Sequence, residues 1–195
     1  MKKIILFVTI IIAFVFHSTA QVSVTATAGT IGPTSYTTLN AAFTAINAGT
    51  HQGVINVNIT ANTTEPATPV PLLRSAAPSS YTKIRIKPNS SGIVINSAAT
   101  PTIGRGIIEL LGADNVTIDG CATVGGTTKD LTIQSVTATT TGQAVIRLSS
   151  NSTTGADGAD NDTIKNCNII GARSSATSTV TNYGIVFSNA SAAIT

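Results

Sequence analysis

The chain has 195 residues, of which 42% are hydrophobic, 10% charged and 4% aromatic, with no tryptophan and a formal net charge of +3. That length holds one domain with a substantial core, and Ile and Val recurring in short clusters exclude a disordered chain, which would lack β-branched apolar residues. A basic, nucleic-acid-binding class is excluded too: without Lys2 and Lys3, which sit in an N-terminal leader, nine basic residues face eight acidic ones and make no electrostatic footprint for phosphate.

Residues 1–20 read as a secretory signal peptide. Lys2 and Lys3 precede an apolar run from Ile4 to Phe16, and Ser18-Thr19-Ala20 supplies the small residues of a cleavage site, leaving Gln21 as the mature start. The run, about 13 residues, falls short of the ~20 needed to span a bilayer. The expected location is therefore secreted or cell surface, with no membrane span once the leader is removed.

Residues 21–52 read as an N-terminal cap. Val22 and Val24 alternate with Ser23 and Thr25, the signature of a strand, and Gly32-Pro33 then breaks the chain. Over residues 37–48 the period changes: Leu39, Ala42, Phe43 and Ile46 fall at helical spacing, and Asn47-Ala48-Gly49 supplies a stop. A short amphipathic helix ahead of a series of strands covers their apolar side chains and blocks edge pairing.

Residues 53–195 read as strands in succession. Ile55, Val57 and Ile59 point one way and Asn56, Asn58 and Thr60 the other. Residues 65–80 hold four of the seven prolines and read as a loop. Lys83 to Lys87 alternates again, Ile93 to Ile95 is short and apolar, and Ile107 to Leu111 is nearly continuous, as in a strand whose sheet is well buried.

An internal repeat organises this region. Gly112 to Cys121, Gly-Ala-Asp-Asn-Val-Thr-Ile-Asp-Gly-Cys, returns as Gly158 to Cys167, Gly-Ala-Asp-Asn-Asp-Thr-Ile-Lys-Asn-Cys, with seven of ten positions identical. Aligning the copies gives a three-strand unit. It runs over residues 107–111, 115–119 and 131–133, and again over 145–148 and 162–164, continuing to 169–170. A further unit opens at 185–187. Three short strands per turn predict an all-β parallel β-helix, a solenoid of triangular section with turns about 4.8 Å apart. The spacing leaves open whether the 46-residue offset is one turn or two. The chain stops soon after Ile185-Val186-Phe187 without a polar cap, so the expectation is a fragment truncated at its C-terminal side.

Three segments carry a family resemblance: Ser35-Tyr36-Thr37-Thr38-Leu39 opening the helix, Asn115-Val116-Thr117-Ile118-Asp119-Gly120, and Thr163-Ile164-Lys165-Asn166-Cys167. On these the chain resembles the pectin-lyase-like superfamily of right-handed parallel β-helices, and more closely the large secreted β-helix proteins of Bacteroidetes-type bacteria. The resemblance implies the right-handed fold and, on the full-length protein, a C-terminal secretion-sorting domain. It implies no single activity, because the fold hosts lyases, hydrolases, adhesins and passive stalks.

Few residues invite chemistry, and none is assigned a catalytic role. Enzymes of this fold that hydrolyse polygalacturonate combine several Asp with a His and an Arg-x-Lys segment. Here His51 lies outside the repeats, and Arg85-Ile86-Lys87 reads as the solvent side of a strand. Asp114, Asp119, Asp157, Asp160 and Asp162 are the best carboxylate set. Paired carboxylates serve glycoside cleavage, and Asp157, Asp160 and Asp162 are candidates for Ca²⁺, the one cofactor considered. Against both stands a turn role, since Asp114 and Asn115 recur as Asp160 and Asn161 and such residues start turns. Cys121 and Cys167 recur too, either as a disulfide between turns or as two thiols in the core. The Thr137 to Thr141 run ends in Gly142 and reads as a loop.

The expected function is a structural or adhesive element, with extracellular polysaccharide or cell-surface glycans as the partner class and neither nucleic acid nor membrane. The alternatives are a polysaccharide lyase or glycoside hydrolase with its catalytic turns elsewhere, and a carbohydrate- or ice-binding surface.

Overall fold

A computed structural model of the chain describes residues 20–136, 143–152, 157–172 and 182–189. The leader lies outside these residues apart from Ala20, and the Thr137 to Thr141 run lies outside them entirely.

Two strands and a helix come first. Strand β1 (Val22–Gly29) pairs antiparallel with β2 (Thr34–Tyr36) on one side and β3 (His51–Ile59) on the other. Helix α1 (Leu39–Asn47) lies between them in sequence and buries Leu39, Ala42, Phe43 and Ile46, the four residues its periodicity singled out. Thr38 caps its start, its Oγ1 accepting from Ala41 N at 3.1 Å. The helix packs against β1, β2, β3 and the short β5 (Leu72–Leu73).

From β3 onward every pairing is parallel. The remaining strands are β4 (Thr63–Thr64), β6 (Tyr81–Pro88), β7 (Ile93–Asn96), β8 (Gly106–Leu111), β9 (Val116–Asp119), β10 (Leu131–Gln134), β11 (Gln143–Ser149), β12 (Thr163–Lys165), β13 (Cys167–Ile170) and β14 (Asn182–Ser188). They form three sheets, ordered β2-β1-β3-β6-β9-β12, β4-β7-β10-β13 and β5-β8-β11-β14. The chain thus gives a strand to the first, second and third sheet in that order, four times over. The protein is mostly β, with one helix and parallel sheets among the described residues, and no sheet closes into a barrel.

Successive passes set like residues opposite like. Val57, Ile86, Ile118 and Ile164 form one column of the first sheet, and Ile95, Ile133 and Ile169 a column of the second. In the third sheet Leu72, Leu110, Leu148 and Phe187 align, as do Ile108, Ile146 and Ile185. Most of these side chains are fully buried, each stabilising the fold by roughly 1.5–3 kcal/mol relative to exposure.

The register resolves the repeat. Thr117 lies opposite Thr163 and Ile118 opposite Ile164, so an offset of 46 residues separates neighbouring strands of the first sheet. In the third sheet Glu109 lies opposite Arg147, and in the second Leu131 lies opposite Cys167. These offsets are shorter because the loops between strands differ in length. One expectation is corrected: residues 162–170 are two strands in two sheets. The chain turns at Asn166, whose φ of 56° is left-handed, where the first copy needs the longer stretch from Gly120 to Asp130. Gly120 also has to lack a side chain, since a Cβ there would collide with Asn166 O and stand 2.9 Å from Cys167 Cα.

Candidate functional site

The repeat carboxylates gather at the corner between the third and first sheets. Asn115 and Asn161 take left-handed φ values of 60° and 57°, a conformation Asn tolerates better than other side-chain-bearing residues. The two turns stack and bond to one another. Asp160 N donates to Asp114 Oδ1 at 2.8 Å, and Asn115 N donates to Asp160 O at 3.0 Å. Val116 N donates to Asp162 Oδ1 at 2.7 Å. Asp114 and Asp162 therefore each tie one pass to the next through a backbone N–H.

Asp162 is the most perturbed group here. Its second carboxylate oxygen is buried without a hydrogen-bond partner among the described residues. Burial pushes its pKa up to about 7, the Val116 N–H works against that, and the charges of Asp114 and Asp160 add to it. The same neighbourhood holds Tyr81, whose hydroxyl donates to Leu73 O at 2.6 Å. Burial, then the charges of Asp114 and Asp162, raise the Tyr81 pKa above its ordinary value. Asp162 also lines a cleft of about 420 Å³ with Leu148, Ala159, Ile164, Ile185 and Phe187.

The other predicted residues lie apart from this corner. Asp157 makes an exposed 3.0 Å ion pair with Arg74, and among the described residues no group of three or more His, Cys, Asp and Glu is placed to hold a metal ion. Asp119 sits further along β9, accepting from Asn166 Nδ2 at 2.9 Å and Cys121 N at 3.2 Å, with Lys165 Nζ 3.2 Å away. Burial opposes its ionisation, but these donors outweigh it and hold its pKa below the usual value. His51 is fully buried beside the helix. Its Nδ1 donates to Thr30 O at 2.6 Å, since a carbonyl can only accept, and Nε2 then accepts from Tyr36 Oη at 2.7 Å. Both ring nitrogens are thus occupied in holding the cap together.

Cys121 and Cys167 are free thiols, not a disulfide. Because the chain turns directly at Asn166, Cys167 stands opposite Leu131 rather than Cys121. Cys121 Sγ lies 3.1 Å from Thr128 Oγ1, and Cys167 Sγ donates to Lys165 O at 3.1 Å. Burial above all pushes the Cys167 thiol up to about 11, which makes it a poor nucleophile.

Two polar constellations escaped the sequence reading. Glu65, in the proline-rich loop, is buried against the start of α1 and accepts from Leu39 N at 3.0 Å, Asn40 N at 2.8 Å and Thr63 Oγ1 at 3.0 Å. It satisfies N–H groups that a helix start leaves open. Burial still raises its pKa despite these donors. On the outer side of the third sheet, buried Glu109 is shared by Arg105 at 2.6 Å and Arg147 at 3.7 Å.

No family model, curated protein or solved structure matches this chain. No helix among the described residues is long and apolar enough to cross a membrane.

Proposed function

We propose that the chain is a stretch of right-handed parallel β-helix, of the pectin-lyase-like kind its motifs resemble, serving as a structural or adhesive element of a secreted or cell-surface protein. The observation that carries this is the use of the repeat. Its apolar positions stack into columns, and its carboxylates Asp114 and Asp162 bond to the neighbouring pass, so its most recognisable residues are engaged in holding strands together. The right hand follows from the strong preference of parallel crossovers for it.

One observation favours a second reading, a carbohydrate-active enzyme. Asp162 keeps its proton to near neutral pH beside Asp160, the kind of pairing that divides acid and base roles in glycoside cleavage. A single assay separates the two. The purified chain is incubated with acidic and neutral polysaccharides, reading bound fraction and new reducing or unsaturated ends. A structural or adhesive element releases no new ends. Release of ends that is lost in a folded Asp162→Asn variant would replace this reading with the enzymatic one.

A further inference from the structure

The loop between β5 and β6 borders another cavity, one that the carboxylate corner does not use. It is a cleft of about 200 Å³ lined by Asn47 at the end of α1, by loop residues including Leu73, Arg74, Pro78 and Ser79, and by Asn151 beyond β11. That volume equals about seven waters at liquid density. Hydrogen bonds hold the loop in place at both ends. Asn47 Nδ2 donates to Pro71 O at 2.8 Å, and Asn47 Oδ1 accepts from Leu73 N at 3.0 Å. Tyr81 N donates to Ser75 Oγ at 2.9 Å, and Tyr81 Oη donates to Leu73 O at 2.6 Å. The exit of α1 backs so closely onto the loop that a Cβ at Gly49 would run into Pro78 O. The cleft is thus built before a ligand arrives, which spares the cost of ordering a loop on binding.

Its charged groups come from two distant stretches of chain. Arg74 NH1 donates to Asp157 Oδ2 at 3.0 Å. Gly112 leaves room for this meeting, since a Cβ there would stand 2.7 Å from Asn151 Cβ and 3.3 Å from Asp157 Oδ2. Asn151 N donates to Asp157 O at 2.8 Å, tying the wall of the cleft to the acidic residue. The pair uses one N–H of a guanidinium that carries five and one oxygen of the carboxylate. The remaining N–H groups of Arg74 and Asp157 Oδ1 make no hydrogen bond among the described residues. Beside them Ser79 is 2% exposed, and its hydroxyl has no hydrogen-bond partner among the described residues. Buried polar groups are as a rule paired, so a polar ligand in the cleft would supply what the protein does not.

We infer that this cleft binds a small zwitterion of the α-amino-acid class, its carboxylate on the free edge of Arg74, its ammonium on Asp157 and a short side chain against Ala76, Ala77 and Pro78. A cation and an anion 3.0 Å apart suit a ligand whose own opposite charges stand as close together. A simple carboxylate would meet Asp157 as a like charge and a simple amine would meet Arg74 as one, and such juxtapositions are costly. The Ser79 hydroxyl offers the ligand carboxylate a further donor. This binding goes beyond the structural role proposed above and does not rest on it.

The test is titration of the isotope-labelled chain with L-alanine, followed by backbone amide chemical shifts, with propionate and ethylamine as single-charge analogues. L-Alanine should shift the amides of the loop after β5 and of Asn151 saturably, and each analogue should bind at least tenfold more weakly. Arg74→Gln and Asp157→Asn should each weaken L-alanine binding at least tenfold. Their thermal melts should stay close to that of wild type, because an exposed ion pair adds little stability. Ser79→Ala should weaken binding several-fold without lowering the melt. The inference is overturned if L-alanine gives no saturable shift in folded wild type, if propionate or ethylamine binds as tightly, or if the Arg74 and Asp157 variants bind as wild type does. In that last case the pair is only a tie between the loop and a later pass.

Discussion

Leu72, Leu110, Leu148 and Phe187 occupy one column of the third sheet, yet their exposures are 0%, 0%, 5% and 77%. The residues are of one kind and the strand pairing is the same, so the difference comes from what lies on the next pass. Toward the N-terminal side, α1 and the antiparallel pair β1 and β2 close the stack, and Phe43 and Ile46 are buried there. Beyond β14 no described strand follows, and Ile170, Ile185 and Phe187 stand exposed. Burial in this architecture is conferred by the neighbouring pass rather than by the residue, as expected where each unit buries its apolar side against adjacent units.

The largest expected effect breaks that comparison open. Leu110→Ala should destabilise the chain by about 2–5 kcal/mol, the range for emptying a packed aliphatic site. Phe187→Ala in the same column should cost less than about 0.5 kcal/mol, as an exposed substitution does. Urea unfolding of the two variants checks both, and equal costs would mean that the last pass is covered.

The next effect concerns the cap. Glu65→Ala leaves the N–H groups of Leu39 and Asn40 without their acceptor, and an unmet buried donor costs about 1–3 kcal/mol. Urea unfolding followed at the helical circular-dichroism band should show this loss, whereas Glu65→Gln, which retains one acceptor oxygen, should recover part of it.

Neither the partner of Glu65 nor that of Glu109 was legible in the sequence, and the reasons are physical. Periodicity reports which side of an element is buried, so Leu39, Ala42, Phe43 and Ile46 announced α1, and alternation announced β3 and β6. Capping from Glu65 reaches back 26 residues, across α1 and β3, to Leu39 and leaves no periodic trace. The Glu109–Arg147 contact depends on the third-sheet offset, which the 46-residue repeat of the first sheet conceals. The two-residue strands β4 and β5 are too short to alternate. Within the carboxylate corner, Asp114 and Asp160 were recognisable as recurring turn residues. The repeat gave no sign of the burial of Asp162, because Val116 holds the equivalent position.

Two carboxylates should tilt stability with pH in opposite directions. The pKa of Asp162 is raised by folding to about 7, so the folded state holds a proton the unfolded chain has released, and stability falls as pH rises from the unfolded value of about 3.9 through 7. Asp162→Asn should flatten that part of the profile. The Asp119 pKa is lowered by folding, so its stabilisation is present above the unfolded pKa and is lost as pH falls through the folded one. Asp119→Asn should therefore weaken the protein at neutral pH and blunt its acid sensitivity. Thermal melts between pH 3 and 9 read both slopes.

The smallest effect sharpens the account of the turns. Asn115 holds a left-handed φ, so Asn115→Ala should cost roughly 1 kcal/mol and Asn115→Gly close to nothing. Equal costs in urea unfolding would point to the side chain instead of the backbone.

The most direct test of the stacking uses the register itself. Thr117 and Thr163 lie opposite each other on the outer side of the first sheet, about 4.8 Å apart as neighbouring strands are, within the Cα range a disulfide spans. Arg85 and Thr163 are separated by two strand spacings, about 9.6 Å, beyond that range. In a Cys121→Ser/Cys167→Ser background, mild oxidation of Thr117→Cys/Thr163→Cys should form an intramolecular disulfide, read by mass spectrometry as the loss of two hydrogens, while Arg85→Cys/Thr163→Cys stays reduced. Closure of the second pair, or failure of the first in a chain that keeps its native melt, would contradict a stack in which one repeat makes one pass.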